Sequence, residues 1–439
     1  MMIKFYDTAV KKSAVFIGGE MNQNQLYEYA KETYAQYGVD TEKVLHILKE
    51  TPVSLHCWQG DDVGGFEKAG SELSGGGIQV TGNYPGKART IDELRCDIEK
   101  VMSLVPGTYR INLHANYADF GGKKPVDRDA LEPAFFESWL DWALSKGLKI
   151  DFNSTFFSHP KAEGLTLCSK DKGIRDFWIE HAKRCREIGA FFGKKQGDPC
   201  IHNLWIADGM KDLPADRKAY REILCASLDE IYAEKIPETY LKDSVESKVF
   251  GIGSEAYVAG SHEFYMGYAI TRGKLLTLDM GHFHPMENVA DKLSAIMLFI
   301  KEIFLHLSRP MRWDSDHVVI FNDELRLMCE EIVNSGRMKD IHIGLDFFDG
   351  SINRIGAWTL GCRSAQKGLL AALLLPRKRL SQSEDCGNYF ERLALFEAAK
   401  TLPFSILWNE YCRRCGIPSD REMSTLVEAY DKEVTSKRV

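Results

Sequence analysis

The densest run of chemistry-bearing side chains lies between residues 279 and 316, where LDMGHFHP, LHLSRP and RWDSDHVV follow one another. Asp279 and His282 stand at the end of one β-rich run, His306 lies inside the next, and Asp314 and Asp316 are alternate residues of the segment that follows. Alternate residues in an extended segment point the same way, so Asp314 and Asp316 can share one cation. Glu246 and Asp346, from neighbouring runs, raise the set to five carboxylates and two imidazoles. So many acids converge only where cations neutralise them. A carboxylate-rich set with a minority of imidazole and no thiolate suits Mn²⁺ first, with Mg²⁺, Co²⁺ and Zn²⁺ as competitors. Taken singly, each residue reads as readily as a helix cap or a hydrogen-bonded core group, so the metal reading rests on their number.

The elements that must bring these residues together are short β-rich runs at 53–58, 109–116, 149–155, 201–206, 244–250, 275–283, 303–309 and 339–348. Amphipathic segments such as IDELRCDIEKVMSL, IRDFWIEHAKRCREIGAFF and REILCASLDEIYAEK separate them. Strand and helix alternating eight times predicts a parallel sheet. Polar and aromatic residues gather late in the runs: His56 and Trp58, His114, Asn153, Trp205, Glu246 with Lys248, Asp279 with His282, His306, and Asp346. That placement favours closure into a (β/α)8 TIM barrel, whose active site is built by the loops after the strands. Beyond residue 350 the alternation gives way to helical patterns, RIGAWTLGCRSAQKGLLAALL and NYFERLALFEAAKTL. The expected organisation is an extension outside the fold at 1–21, a catalytic barrel at 22–350, and a helical C-terminal region at 351–439 that packs on the barrel or on another subunit.

Composition narrows the function classes. Across 439 residues, Lys plus Arg total 56 against 63 for Asp plus Glu, which gives no electrostatic reason to expect a nucleic-acid or anionic-membrane partner. Eleven scattered cysteines lack disulfide-framework spacing and point to a reducing cytoplasm. The tight pair Cys412 and Cys415 lacks a second pair or nearby His and reads as structural. The first twenty residues do not read as a secretory signal, and LLAALLL at 369–375 is too short to span a bilayer. GGGIQVTGNYPGK at 75–87 invites a phosphate-loop reading, but Gly82 and Gly86 bracket three residues rather than four, and Ala follows Lys87. It reads as a turn-rich loop near the barrel mouth.

The segments HCWQGDDVGGFE, TGNYPGK, VESKVFGIG, EFYMGY, DMGHFHP, RWDSDHVV and GLDFFDGSINRI resemble the L-rhamnose isomerase family, from about residue 22 to near the C-terminus. The resemblance implies an aldose-ketose isomerase that interconverts L-rhamnose and L-rhamnulose, two divalent cations per subunit as in xylose isomerase, and a homotetramer. It implies a sugar-contacting site of His282, Asp314 and Asp316, with Asp279 bridging to a second site completed by Glu246, His306 and Asp346. Asp346 counts among the catalytic groups as well. Lys248, two positions after Glu246, either polarises the sugar O1 or pairs with a surplus carboxylate. His114 is the expected acid or base for opening the pyranose ring. Trp58, Phe66 and Trp205 are expected as apolar walls against the sugar. Hydrogen transfer between C1 and C2 is expected as a metal-assisted hydride shift. Rival readings are another metal-dependent barrel enzyme, such as an epimerase, dehydratase or hydrolase, and a catalytically idle carbohydrate-binding or metal-storage protein.

Overall fold

Along several of the strands apolar and polar residues alternate, and the folded chain turns that alternation into the two faces of one closed sheet. The computed structural model describes residues 22–67, 80–248, 255–284, 286–311 and 314–438, without the side chains at 314–316. The barrel strands are β1 (Pro52–His56), β2 (Thr108–His114), β3 (Lys149–Asn153), β4 (Cys200–Trp205), β5 (Leu241–Glu246), β6 (Leu275–Asp279), β7 (Ile303–Leu307) and β8 (Ile341–Leu345). They pair in parallel in chain order, and β1 closes the ring against β8. This is the predicted (β/α)8 barrel. Most of the predicted runs extend past the observed strand ends, because beyond the rim a strand loses the neighbour that supplies its ladder hydrogen bonds. Trp58 accordingly sits in the short 3-10 turn Cys57–Gln59, and His282 lies past the end of β6.

Val53, Leu55, Ile111, Leu113, Ile150 and Phe152 are buried, and Ser54, Asn112, Asp151 and Asn153 alternate with them on the other face. Removing each such apolar side chain from water is worth roughly 1.5–3 kcal/mol. Gly344 on β8 has a packing reason: a Cβ there would meet the Phe304 ring at 2.9 Å. The Phe304 ring in turn stands edge-on to His306 at 4.8 Å between centroids and braces it.

Each strand leads to a helix: Ile91–Met102, Glu137–Ser145, Lys172–Gln196, Arg217–Ile231, His262–Arg272, Ala290–Ile296, Asp323–Asn334 and Arg354–Leu373. Thr90, Asp171, Asp216, Asn322 and Asn353 cap five of them by accepting first-turn N–H groups, a contribution of about 1 kcal/mol apiece. Four further helices, Arg377–Asp385, Tyr389–Ala399, Phe404–Arg414 and Asp420–Glu433, follow the barrel. Buried Arg363 on the helix after β8 ties down the last of them by donating to Asp420 Oδ1 at 2.6 Å. Arg438 near the C-terminus grips buried Asp97 at 2.6 and 2.8 Å. The helix Asp420–Glu433 and the residues after it are therefore held against the helices around the barrel.

Candidate metal centre and substrate cavity

Four ligand-type side chains come from the ends of four adjacent strands. Glu246 closes β5, Asp279 closes β6, His306 lies on the last turn of the ladder in β7, and Asp346 follows β8 directly. Register brings Asp279 level with His306. One ligand atom from each of Glu246, Asp279, His306 and Asp346 falls within 4.8 Å of all the others. His306 Nδ1 is 3.1 Å from Glu246 Oε1, 3.4 Å from Asp346 Oδ2 and 3.7 Å from Asp279 Oδ2. His282 joins from the loop after β6, its Nδ1 3.3 Å from Glu246 Oε1.

Neighbours fix each carboxylate. Asn203 Nδ2 donates to Glu246 Oε2 at 2.5 Å, and the Asn203 carbonyl accepts from Thr277 Oγ1 at 2.7 Å. Ser308 Oγ and the Gly281 N–H both donate to Asp279 Oδ1, at 2.9 and 2.7 Å. Trp58 Nε1 donates to Asp346 Oδ1 at 2.9 Å. Among the described residues these contacts leave Asp279 Oδ2, His282 Nδ1 and His306 Nε2 buried without a hydrogen-bond partner. Three converging carboxylates with two imidazoles fit a divalent cation, and the oxygen-rich set suits a hard one.

The electrostatics agree with that fit. Burial pushes the Asp279 carboxyl up to about 7, with Asp346 and Glu246 adding repulsion against the help of His282. Burial opposes a charge on His306, yet Glu246 and Asp346 outweigh it and hold the imidazole well above its ordinary value. Asp346 is pulled down to about 2, burial being overcome by the hydrogen bond and charge of His306. Among the described residues no Lys or Arg forms an ion pair with these three acids.

The cluster faces a cavity lined by Trp58, His114, Asn153, Trp205, His282 and Phe348, among others. Trp205 stacks on His282 at 6.5 Å, and Trp58 stands edge-on to His114 at 4.7 Å. Burial lowers His114 to about 3, so the imidazole is neutral. Asp314 and Asp316 lie on an extended segment, Asp314–His317, that pairs antiparallel with Arg309–Met311; their side chains lie outside the described residues. Phe66 is not among the lining residues, and its ring stands edge-on to Tyr117 at 5.5 Å. Lys248 is not among them either. Its ammonium donates to Glu255 and to the Ala207 carbonyl, and burial lowers it.

Sequence reasoning passed over Asn203 and Ser154. Asn203 stands two positions before Trp205 on β4, so strand alternation alone puts both on one face. Ser154 lines the cavity and its Oγ is hydrogen-bonded with His202 Nε2 at 2.8 Å, a partnership with no local sequence signal. Of the GGGIQVTGNYPGK segment, residues 75–79 lie outside the described residues, while the Tyr84 N–H donates to Gly350 O beside the loop after β8.

A closed barrel with a cation-fitting carboxylate and imidazole cluster opening on a cavity at the strand ends defines the class: a (β/α)8-barrel enzyme. The family model described as L-rhamnose isomerase (RhaA) matches residues 21–438. The L-rhamnose isomerase of Bacteroides thetaiotaomicron is 54% identical over 412 residues, covering 94% of this chain and 98% of that protein. The Rhodopirellula baltica and Escherichia coli K12 proteins of the same name are both 51% identical, covering 95% and 94% of this chain and 97% and 98% of theirs. This chain belongs to the L-rhamnose isomerase family and is an isomerase.

Proposed function

We propose that this enzyme interconverts L-rhamnose and L-rhamnulose with two divalent cations per subunit, Mn²⁺ first among them. The convergence of Glu246, Asp279, His306 and Asp346 at the cavity floor carries the reading. Glu246, Asp279, His306 and Asp346 would hold one cation, and His282, Asp314 and Asp316, together with Asp279, are the residues that would hold the other. When bound, the cations supply Lewis acidity to the oxygens on C1 and C2 of the open-chain sugar.

The residues position that chemistry. Trp58 and Trp205 offer apolar faces to the C–H surfaces of the sugar, in keeping with their places on the cavity wall. His114 assists the opening of the pyranose ring. Hydrogen then passes from C2 to C1 as a hydride while a proton passes from O2 to O1, which turns the aldose into the ketose. Asn203, Trp58 and Ser308 hold the acids in place throughout. Lys248, tied to Glu255, takes the carboxylate-neutralising role in this reading.

The exposed Tyr389, Phe390 and Leu393 on the helix Tyr389–Ala399 support self-association, and the proposed assembly is a homotetramer. Among the described residues no helix is long and apolar enough to cross a membrane, and the proposed location is the cytoplasm. The test is ketose formation from L-rhamnose by chelator-stripped protein with and without Mn²⁺, alongside Asp316→Asn. Activity restored by metal in the parent and absent in the variant supports the reading. No L-rhamnulose with any divalent ion overturns it.

A further inference from the structure

His114 lines the cavity, and the residues behind it decide which of its ring nitrogens carries a hydrogen. Its Nδ1 lies 3.2 Å from Thr155 Oγ1. Thr155 is fully buried, and each of its polar groups is accounted for. Its N–H donates to His181 Nε2 at 3.1 Å, and its carbonyl accepts from Arg128 Nη1 at 2.8 Å. His181 is fixed in turn, because Nε2 is accepting and Nδ1 must therefore donate to the Arg128 carbonyl, 3.1 Å away. Both backbone groups of Thr155 are anchored, so its hydroxyl is held in one place.

That hydroxyl already accepts the Ala115 N–H at 3.0 Å. Its own hydrogen has one acceptor among the described residues, His114 Nδ1. The opposite arrangement, with Nδ1–H pointing at the oxygen, strands a buried hydroxyl hydrogen, which buried polar groups avoid. We propose that Thr155 sets His114 as the Nε2–H tautomer, so that His114 presents a hydrogen-bond donor, not a base, to the bound sugar. Thr155 is thus a positioning residue, acting through His114.

The inference rests on the reading of His114 as a ring-opening group and makes it specific. Ring opening breaks C1–O5 and carries a net proton from O1 to O5. An Nε2–H donor serves the O5 end. The proton itself passes from O1 to O5 through water while Nε2–H hydrogen-bonds O5, so the imidazole stays neutral throughout.

The tautomer is read directly by solid-state NMR of protein carrying ¹⁵N at the histidine Nδ1 position, with His114→Asn identifying the His114 signal. An unprotonated Nδ1 in the parent and in Thr155→Ser, shifting towards the protonated position in Thr155→Val, supports the assignment. A protonated Nδ1 in the parent overturns it, whatever the variants do. Kinetics separate the two layers. The Thr155→Val variant is expected to lose kcat/KM on the order of 10²-fold, with recovery in Thr155→Ser. Tautomer changes as expected without a loss of activity would keep the tautomer assignment and sink the ring-opening role of His114.

Discussion

Trp58 Nε1 donates to Asp346 Oδ1 at 2.9 Å, joining the turn after the first strand to the residue after the last. Since β1 and β8 are the strands that close the ring, this bond crosses the seam of the barrel at the height of the metal centre. Trp58 is thus more than the apolar wall its position in the sequence suggests. The expected result for Trp58→Phe, which keeps an aromatic ring and removes the donor, is Mn²⁺ binding weakened by about 10–100-fold with little loss of stability. Calorimetric titration of the stripped variant checks this. Unchanged affinity would show that Asp346 needs no second partner.

Asp61 gives the clearest dependence on pH away from the metal. Tyr117 Oη donates to Oδ1 at 2.5 Å and the Gly65 N–H donates to Oδ2 at 2.7 Å, but burial dominates and raises the carboxyl to about 7. The folded value lies above the unfolded one of 3.8, so the folded state holds a proton that the unfolded state has released. Stability from this group is complete below the unfolded value and is lost as pH rises through the folded one, at up to about 1.4 kcal/mol per unit. Urea midpoints for the parent and Asp61→Asn should therefore converge or cross as pH climbs from 5 to 7, the parent falling more steeply. Parallel curves would remove Asp61 as the titrating group.

The sequence made the barrel and most of the cluster legible for one reason: in a strand, position dictates facing. Glu246, Asp279, His306 and Asp346 could be placed because each falls late in a strand, and the ends of parallel strands meet at one rim. Facing does not dictate partnership. Nothing near Lys248 in the chain shows that Glu255 takes its ammonium, and nothing near Phe66 shows that it stands against Tyr117 instead of the cavity. The Thr155, His181 and Arg128 network is equally opaque, because its members come from separate elements joined only by folding.

The pairing of Lys248 with Glu255 can be separated from a role at the sugar. Lys248→Met leaves the Glu255 carboxylate largely buried and unpaired, a loss of about 3–5 kcal/mol. The double variant Lys248→Met with Glu255→Gln removes that penalty. It should regain most of the stability and keep kcat within about tenfold of the parent. A stable double variant that remains inactive would instead put the ammonium at O1.

A route through an enediol needs a base free to take the C2 proton. Among the described residues, Glu246 is engaged by Asn203 and His306, Asp346 by Trp58 and His306, and His114 Nδ1 by Thr155, while Asp279 Oδ2, His282 Nδ1 and His306 Nε2 are the atoms left open for the proposed cations. With those atoms taken by the cations as proposed, a direct transfer from C2 to C1 needs no further base. Isomerisation of L-rhamnose in D₂O should then give L-rhamnulose with little deuterium bound to C1, read by proton NMR of the product. Extensive incorporation would mean that one of these bases gives up its partner during turnover, and Glu246 and Asp346 would be the first to substitute in search of it.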